Sequence, residues 1–237
     1  MAARVRSRLA GFVALGIICG GVMAIVSLRT FGGQTFSIPS RSMEPTLLPG
    51  DYVAVNKSTY GYSRYSLPFA PPLFEGRIFA APARPGDLVV FRLPRDGLDY
   101  IKRIVGLPGD RIQMRGGLFF INDVAVRHER APDFAENADQ GFPRHIKRWR
   151  ETLPNGVSYE TLDEQDNGLL DDTGIFTTPP GHYFVLGDNR DNSVDSRLPD
   201  QMGYIPAENI IGQVAMIFYS VDQSSTLRAD RIGLVPK

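Results

Sequence analysis

The sequence predicts a mainly β protein: an antiparallel β-sheet domain holding an inserted smaller β subdomain, preceded by one N-terminal transmembrane helix. Three observations lead there. Residues 9–28 form an uncharged apolar run, short alternating or apolar stretches recur from Thr35 onward, and abundant Gly and Pro (24 and 18 of 237 residues) separate those stretches. Gly and Pro at this density suit turns between strands better than a helical bundle.

Residues 1–8 carry Arg4, Arg6 and Arg8 and read as a cytoplasmic N-terminus. The run 9–28 contains only Gly, Ala, Val, Ile, Leu, Phe, Met, Cys and Ser. At 1.5 Å per residue, about 20 residues span a hydrocarbon core of roughly 30 Å. The arginines before the run, against Arg29 alone just after it, place the N-terminus inside and residues 29–237 outside. A cleaved signal peptide is the competing reading. Its apolar region is normally shorter and ends in a small-x-small site, whereas this run passes into Arg29-Thr30-Phe31. Cys19, the sole cysteine, lies inside the run. An intrachain disulfide and a cysteine-based zinc site are therefore excluded.

The strands follow in order. Residues 51–55 alternate, 87–92 form a short apolar run after Arg84-Pro85-Gly86, and 99–106 form another. Residues 111–114 and 118–123 read as a hairpin through Gly116-Gly117. Two further strands are expected at 181–187 and 210–219, with a short turn near 206–209. Residues 58–82, rich in Tyr, Pro and Phe, read as a long loop or projecting hairpin. Residues 127–180 are more polar and read as a variable insertion. The expected organisation is a core of about 33–110 and 176–237 interrupted by a subdomain of about 111–175. Balanced charge, 26 basic against 26 acidic residues, supplies no bulk electrostatic reason for nucleic-acid binding.

Three segments carry chemistry. Ile38-Pro39-Ser40-Arg41-Ser42-Met43-Glu44-Pro45 holds two serines in a rigid, Pro-flanked turn. Tyr100-Ile101-Lys102-Arg103-Ile104-Val105 sets a lysine in an apolar strand, and alternation expects one of Lys102 and Arg103 to face inward. Gly187-Asp188-Asn189-Arg190-Asp191-Asn192-Ser193-Val194-Asp195-Ser196-Arg197 is a polar loop directly after a strand. No Gly-x-Ser-x-Gly or His-Glu-x-x-His pattern is present, which disfavours a His-based triad or a zincin. His128, His145 and His182 read as surface or insertion residues.

These segments resemble, in order, motif boxes of the bacterial type I signal peptidases, and residues 86–91 resemble a further box of that family. The resemblance extends over about 36–110 and 179–222. It implies a Ser–Lys serine endopeptidase that removes signal peptides from exported preproteins at Ala-x-Ala-type sites. By motif position Ser42 matches the nucleophile and Lys102 the general base. Ser40 matches the oxyanion-hole hydroxyl that acts with the Ser42 N–H, and Ser193 the hydroxyl that orients the lysine. Asp195 and Arg197 match a supporting ion pair, while Asp188 and Arg190 match further loop-supporting positions. Glu44 and Arg41 stand where some relatives carry an apolar residue and glycine. The substrate contacts expected from motif position and apolar character are Phe36, Ile38, Pro39, Met43, Leu47, Val53, Val90, Tyr100 and Ile101. For Val53 and Val90 a plain core role is an equal alternative. The resemblance also implies no cofactor and no metal, a bacterial inner membrane location with the peptidase domain on the periplasmic side, contact with membrane lipid, and a monomer acting near the protein export channel.

The chemistry is coherent. A serine hydroxyl is a poor nucleophile until a neighbouring base takes its proton. A free lysine is almost wholly protonated at neutral pH, and burial favours its neutral form. Two rivals remain at this level: another Ser–Lys peptidase, either repressor-like or specialised for pilus or conjugation precursors, and a non-catalytic membrane-anchored binding domain. The second should lack Ser42 or Lys102, and both are present.

Overall fold

A computed structural model describes residues 20–21, 33–136 and 144–237. The predicted membrane run lies outside the described residues, apart from residues 20–21, which are helical. Among the described residues no helix is long and apolar enough to cross a membrane.

The strands are β1 (Gln34–Ser37), β2 (Asp51–Asn56), β3 (Leu88–Arg92), β4 (Asp99–Gly106), β5 (Arg111–Arg115), β6 (Leu118–Ile121), β7 (Val124–Ala125), β8 (Arg127–Glu136), β9 (Arg144–Thr152), β10 (Ser158–Asp163), β11 (Phe176–Thr177), β12 (His182–Leu186), β13 (Ile205–Pro206) and β14 (Ile210–Ser220). Seven of them form one antiparallel sheet in the order β1-β2-β14-β3-β4-β12-β13. The segment between β4 and β12 builds two smaller antiparallel sheets, β10-β9-β8 and β11-β5-β6-β7.

The sequence pattern explains the local choices. On β2, Asp51, Val53 and Val55 point inward while Tyr52 and Asn56 face solvent, the period-two signature of a half-covered strand. Strand β3 is buried at Leu88, Val89, Val90 and Phe91, because both faces of the sheet are covered there. Arg115 pairs with Leu118 across Gly116 (φ 53°) and Gly117 (φ 76°), the left-handed pair that a two-residue hairpin turn needs. The next turn uses Asn122 and Asp123, also at positive φ, so β6 stops at Ile121 rather than running to 123 as expected. The Ser58–Tyr60 and Arg64–Ser66 turns and one bridge, Tyr62 to Ile78, organise the 58–82 loop. Arg77 ties that loop to the core by donating to the carbonyls of Gly61 and Ile210 at 2.6 Å each.

One expectation is corrected. Alternation placed only one of Lys102 and Arg103 inside, yet both are buried, at 3% and 0% exposure. Strand β4 sits between β3 and β12, and each of its faces meets packed structure. Ile104 joins a cluster with Phe91 and Val185 on one side. Val105 joins Met114, Phe119 and Tyr159 of the inserted sheets on the other.

Candidate active site

The turn after β1 carries the candidate nucleophile. Its base is closed by backbone bonds from Ile38 N to Asp51 O (2.8 Å) and from Gly50 N to Ile38 O (2.9 Å). Inside it, Glu44 N reaches Arg41 O at 3.1 Å and Leu47 N reaches Met43 O at 2.9 Å. Met43 and Leu47 are buried beneath the turn, so Ser40 and Ser42 are held at the surface of a packed wedge.

Lys102 Nζ donates to Ser42 Oγ at 2.6 Å. Burial lowers the Lys102 pKa to about 8, against the opposing pull of the Asp195 and Asp188 carboxylates, and Arg197 lowers it further. Ser40 Oγ lies 3.2 Å from Ser42 Oγ. Ser193 borders the same cleft, of about 570 Å³, together with Ser40, Ser42, Tyr100 and Lys102. Its hydroxyl is buried and has no hydrogen-bond partner among the described residues. Gly187 explains how Ser193 and Ser42 come so close. A Cβ there would lie 2.1 Å from Ser193 Oγ and 2.6 Å from Ser42 O. Asn189 N also donates to Ser42 O, at 3.1 Å, so the polar loop grips the nucleophile turn directly.

Buried ion pairs hold that loop. Arg197 binds Asp195 in a fork, at 2.9 Å to each oxygen, and Asp195 Oδ2 also accepts the Gly187 N–H at 3.1 Å. Burial pushes the Asp195 carboxyl up, but Arg197 and the Gly187 N–H overcome it and hold the pKa below the usual range. Asp188 pairs with Arg103 and accepts the Thr46 hydroxyl at 2.5 Å. Arg190 pairs with Glu151 of β9 at 2.5 Å. Glu44 is buried beside Arg41, and burial pushes its carboxyl up.

Sequence reasoning missed Arg103, Thr46, Glu151 and Tyr159 as parts of this framework. Arg103 carried a signal, a second cation inside an apolar strand; Glu151, in a charged stretch, carried none. The expected substrate contacts divide by depth. Ile38, Met43, Leu47, Val53 and Val90 lie in one buried cluster, with Phe36 and Ile101 partly buried against it. Pro39 is exposed and Tyr100 borders the cleft. Two strand edges flank these residues. Among the described residues, strand β1 has only β2 beside it. Strand β12 meets β4 only from Arg103 onward, so residues 99–102 are paired with β3 alone among the described residues. The histidines lie away from the cleft: His128 stacks on Trp149, His145 is exposed, and His182 Nδ1 contacts Pro180 O.

A family model described as signal peptidase, peptidase S26, matches residues 9–219. The signal peptidase I of Rickettsia typhi is 40% identical over 213 residues, covering 86% of this chain and 77% of the relative. That of Rickettsia akari is 41% identical over 212 residues, covering 85% and 77%. A crystal structure of a signal peptidase I from Enterococcus faecalis aligns with a TM-score of 0.33 at 24% identity, covering 57% of this chain and 98% of that one. The chain belongs to the signal peptidase family, peptidase S26.

Proposed function

We propose that this protein is a membrane-bound serine endopeptidase that removes signal peptides from exported preproteins by cutting after small-x-small sites. Ser42 is the nucleophile and Lys102 the general base. The single observation behind this reading is the 2.6 Å contact from Lys102 Nζ to Ser42 Oγ, made by a lysine that is 3% exposed. Burial favours the neutral amine, and a neutral amine at hydrogen-bond distance can take the serine proton.

The reaction follows from that transfer. Lys102 accepts the Ser42 proton as Oγ attacks the scissile carbonyl carbon. The Ser42 N–H and the Ser40 hydroxyl stabilise the oxyanion, each worth about 3–4 kcal/mol in acyl transfer. Collapse breaks the peptide C–N bond, and Lys102 returns the proton to the departing amine, the new N-terminus of the mature protein. Lys102 next takes a proton from water, hydroxide attacks the acyl-enzyme, and Ser42 regains its proton as the signal peptide leaves with a free carboxylate. Ser193 borders the same cleft with its hydroxyl unpartnered among the described residues, and on rotating toward Lys102 that hydroxyl would orient the amine.

The substrate would lie extended between the β1 edge and residues 99–102, gaining main-chain hydrogen bonds from both. In an extended chain the first and third residues before the cut share one face. That face would meet Phe36 and Ile101, which keep partial exposure against the buried cluster of Ile38 and Met43, while Leu47, Val53 and Val90, at 0% exposure, are core beneath them and not substrate contacts. The apolar run 9–28 and Arg4, Arg6 and Arg8 support a single span with the N-terminus inside. Fully exposed Phe69 and largely exposed Phe79 suit contact of the 58–82 loop with the lipid surface.

The test is cleavage of a preprotein bearing an Ala-x-Ala site by the full chain in detergent. Wild type should release the mature protein, and Ser42→Ala and Lys102→Ala should not, while both remain folded with a cooperative melting transition. Full activity in either variant would overturn the dyad.

A further inference from the structure

We infer that Glu151, contributed by the inserted β-sheet, is a positioning residue for the reaction, acting through Arg190 and Gly187 on Ser193 and Ser42. The inference rests on the Ser–Lys reading above and assigns a catalytic purpose to the insertion.

The contacts form a continuous relay. Glu151 lies on β9, outside the main sheet, at 2% exposure. Its Oε2 accepts Tyr159 Oη at 2.9 Å and Arg190 Nη2 at 2.5 Å. Arg190 Nε donates onward to Gly187 O at 3.2 Å, and Arg190 O accepts Arg197 Nη2 at 2.5 Å. Gly187 is the surface on which both hydroxyl-bearing residues rest, with no room for a methyl group between it and Ser193 or Ser42. The same subdomain clamps the loop a second time through its backbone. Leu162 N donates to Asp188 O and Arg190 N to Leu162 O, each at 2.9 Å. Two elements of the insertion, β9 and β10, therefore set where the loop stands relative to the nucleophile turn and Lys102.

Charge makes the Glu151 link more than packing. Arg190 is 6% exposed, and a buried guanidinium without its carboxylate must find another partner or draw in water. Either response moves the Gly187 carbonyl and so the Ser193 hydroxyl. A displacement on the order of 1 Å at a catalytic group can cost about 100-fold in rate. A looser loop would also admit water to Lys102, whose pKa then rises from about 8 toward the free value.

The experiment uses the full chain in detergent with an Ala-x-Ala preprotein. It measures kcat, KM, the pH dependence of kcat/KM and the melting temperature of wild type, Glu151→Gln, Glu151→Asp and Tyr159→Phe. Ser42→Ala and Lys102→Ala serve as blanks. Glu151→Gln should lose about 10- to 100-fold in kcat with KM held within about threefold. Its pH midpoint should move upward, and Glu151→Asp should recover part of the loss. Tyr159→Phe, which frees one side of Glu151 and leaves the ion pair, should lose a few-fold in kcat and keeps the test open if Glu151→Gln does not fold. A folded Glu151→Gln with wild-type kcat and pH midpoint would overturn the inference, as would a wild-type Tyr159→Phe where Glu151→Gln is unfolded. Activity in either blank overturns the Ser–Lys reading and this inference with it, which separates the two failures.

Discussion

Arg103 and Asp188 form a two-pronged ion pair, Nε to Oδ1 at 2.8 Å and Nη2 to Oδ2 at 2.6 Å, with both side chains buried. Arg103 follows Lys102 directly on β4, and Asp188 lies in the loop that carries Ser193. The pair thus joins the strand bearing the candidate base to the loop bearing its candidate partner. Arg103 also donates to Gly86 O at 2.8 Å and lies over the Tyr159 ring at 4.1 Å, so its charge is shared among fixed acceptors.

Breaking this pair from one side leaves a buried charge without compensation. Asp188→Leu should lower unfolding free energy by about 3–5 kcal/mol, whereas Arg103→Met combined with Asp188→Leu should cost less than the two single changes together. Denaturant midpoints of the four proteins provide the cycle. Strict additivity would mean that the pair contributes no coupling.

Lys102 has the opposite character, because its charge is only weakly compensated. Its folded-state pKa is lowered to about 8 from 10.5, burial being the main cause. Between those values the unfolded chain binds a proton that the folded chain does not, so stability should rise with pH through that window. Below about pH 8 both states are protonated and the full burial cost, about 3 kcal/mol, remains. Lys102→Met should therefore melt higher than wild type at pH 7, lose that advantage near pH 10, and have no turnover. In wild type, kcat/KM should climb with a midpoint near 8. An unchanged melting temperature in Lys102→Met at pH 7 would contradict a desolvated lysine.

Much of this was legible locally. Ser40, Ser42, Lys102 and Ser193 sit in short segments whose composition marks them, and β2, β3, β4 and β14 are runs bounded by Gly, Pro or Asp. What failed were properties that depend on what covers a strand. The burial of Arg103 needs the inserted sheets on the outer face of β4, which no period within β4 reveals. The Glu151–Arg190 pair joins residues 39 positions apart, and Glu151 stands among Arg148, Arg150 and other charged neighbours that give it no distinction. The sequence predicts a small β subdomain for the insertion, and β8, β9 and β10 do pair along it, but the polar 127–180 stretch does not mark its individual strands. Polar cross-strand partners such as Arg148 and Glu160 carry part of the sheet that apolar alternation would otherwise signal.

Gly187 offers a steric test that needs no charge change. The added methyl of Gly187→Ala would meet Ser193 Oγ at 2.1 Å and Ser42 O at 2.6 Å, distances that demand movement of one residue or the other. Ser42 O is held by Asn189 N, so Ser193 is the part that yields, and with its Cβ at 2.4 Å from the new methyl its backbone must shift as well as its hydroxyl. The variant should keep most of its secondary structure by circular dichroism and lose about 100-fold or more in kcat. Turnover within threefold of wild type would show that the cleft tolerates a displaced Ser193.

Ser40 tests the oxyanion assignment separately from the base. Its hydroxyl, 3.2 Å from Ser42 Oγ, is exposed, so its removal leaves no buried polar group unsatisfied and should shift the melting temperature little. A donor that acts only on the developing oxyanion stabilises the transition state and not the bound substrate. Ser40→Ala should therefore lower kcat by about 100- to 1000-fold with KM nearly unchanged and the pH midpoint still near 8. Ser40→Thr, which retains a hydroxyl at the same branch point, should recover part of the rate. A rise in KM with kcat intact would instead make Ser40 a substrate-binding residue, and a moved pH midpoint would make it a partner of Lys102.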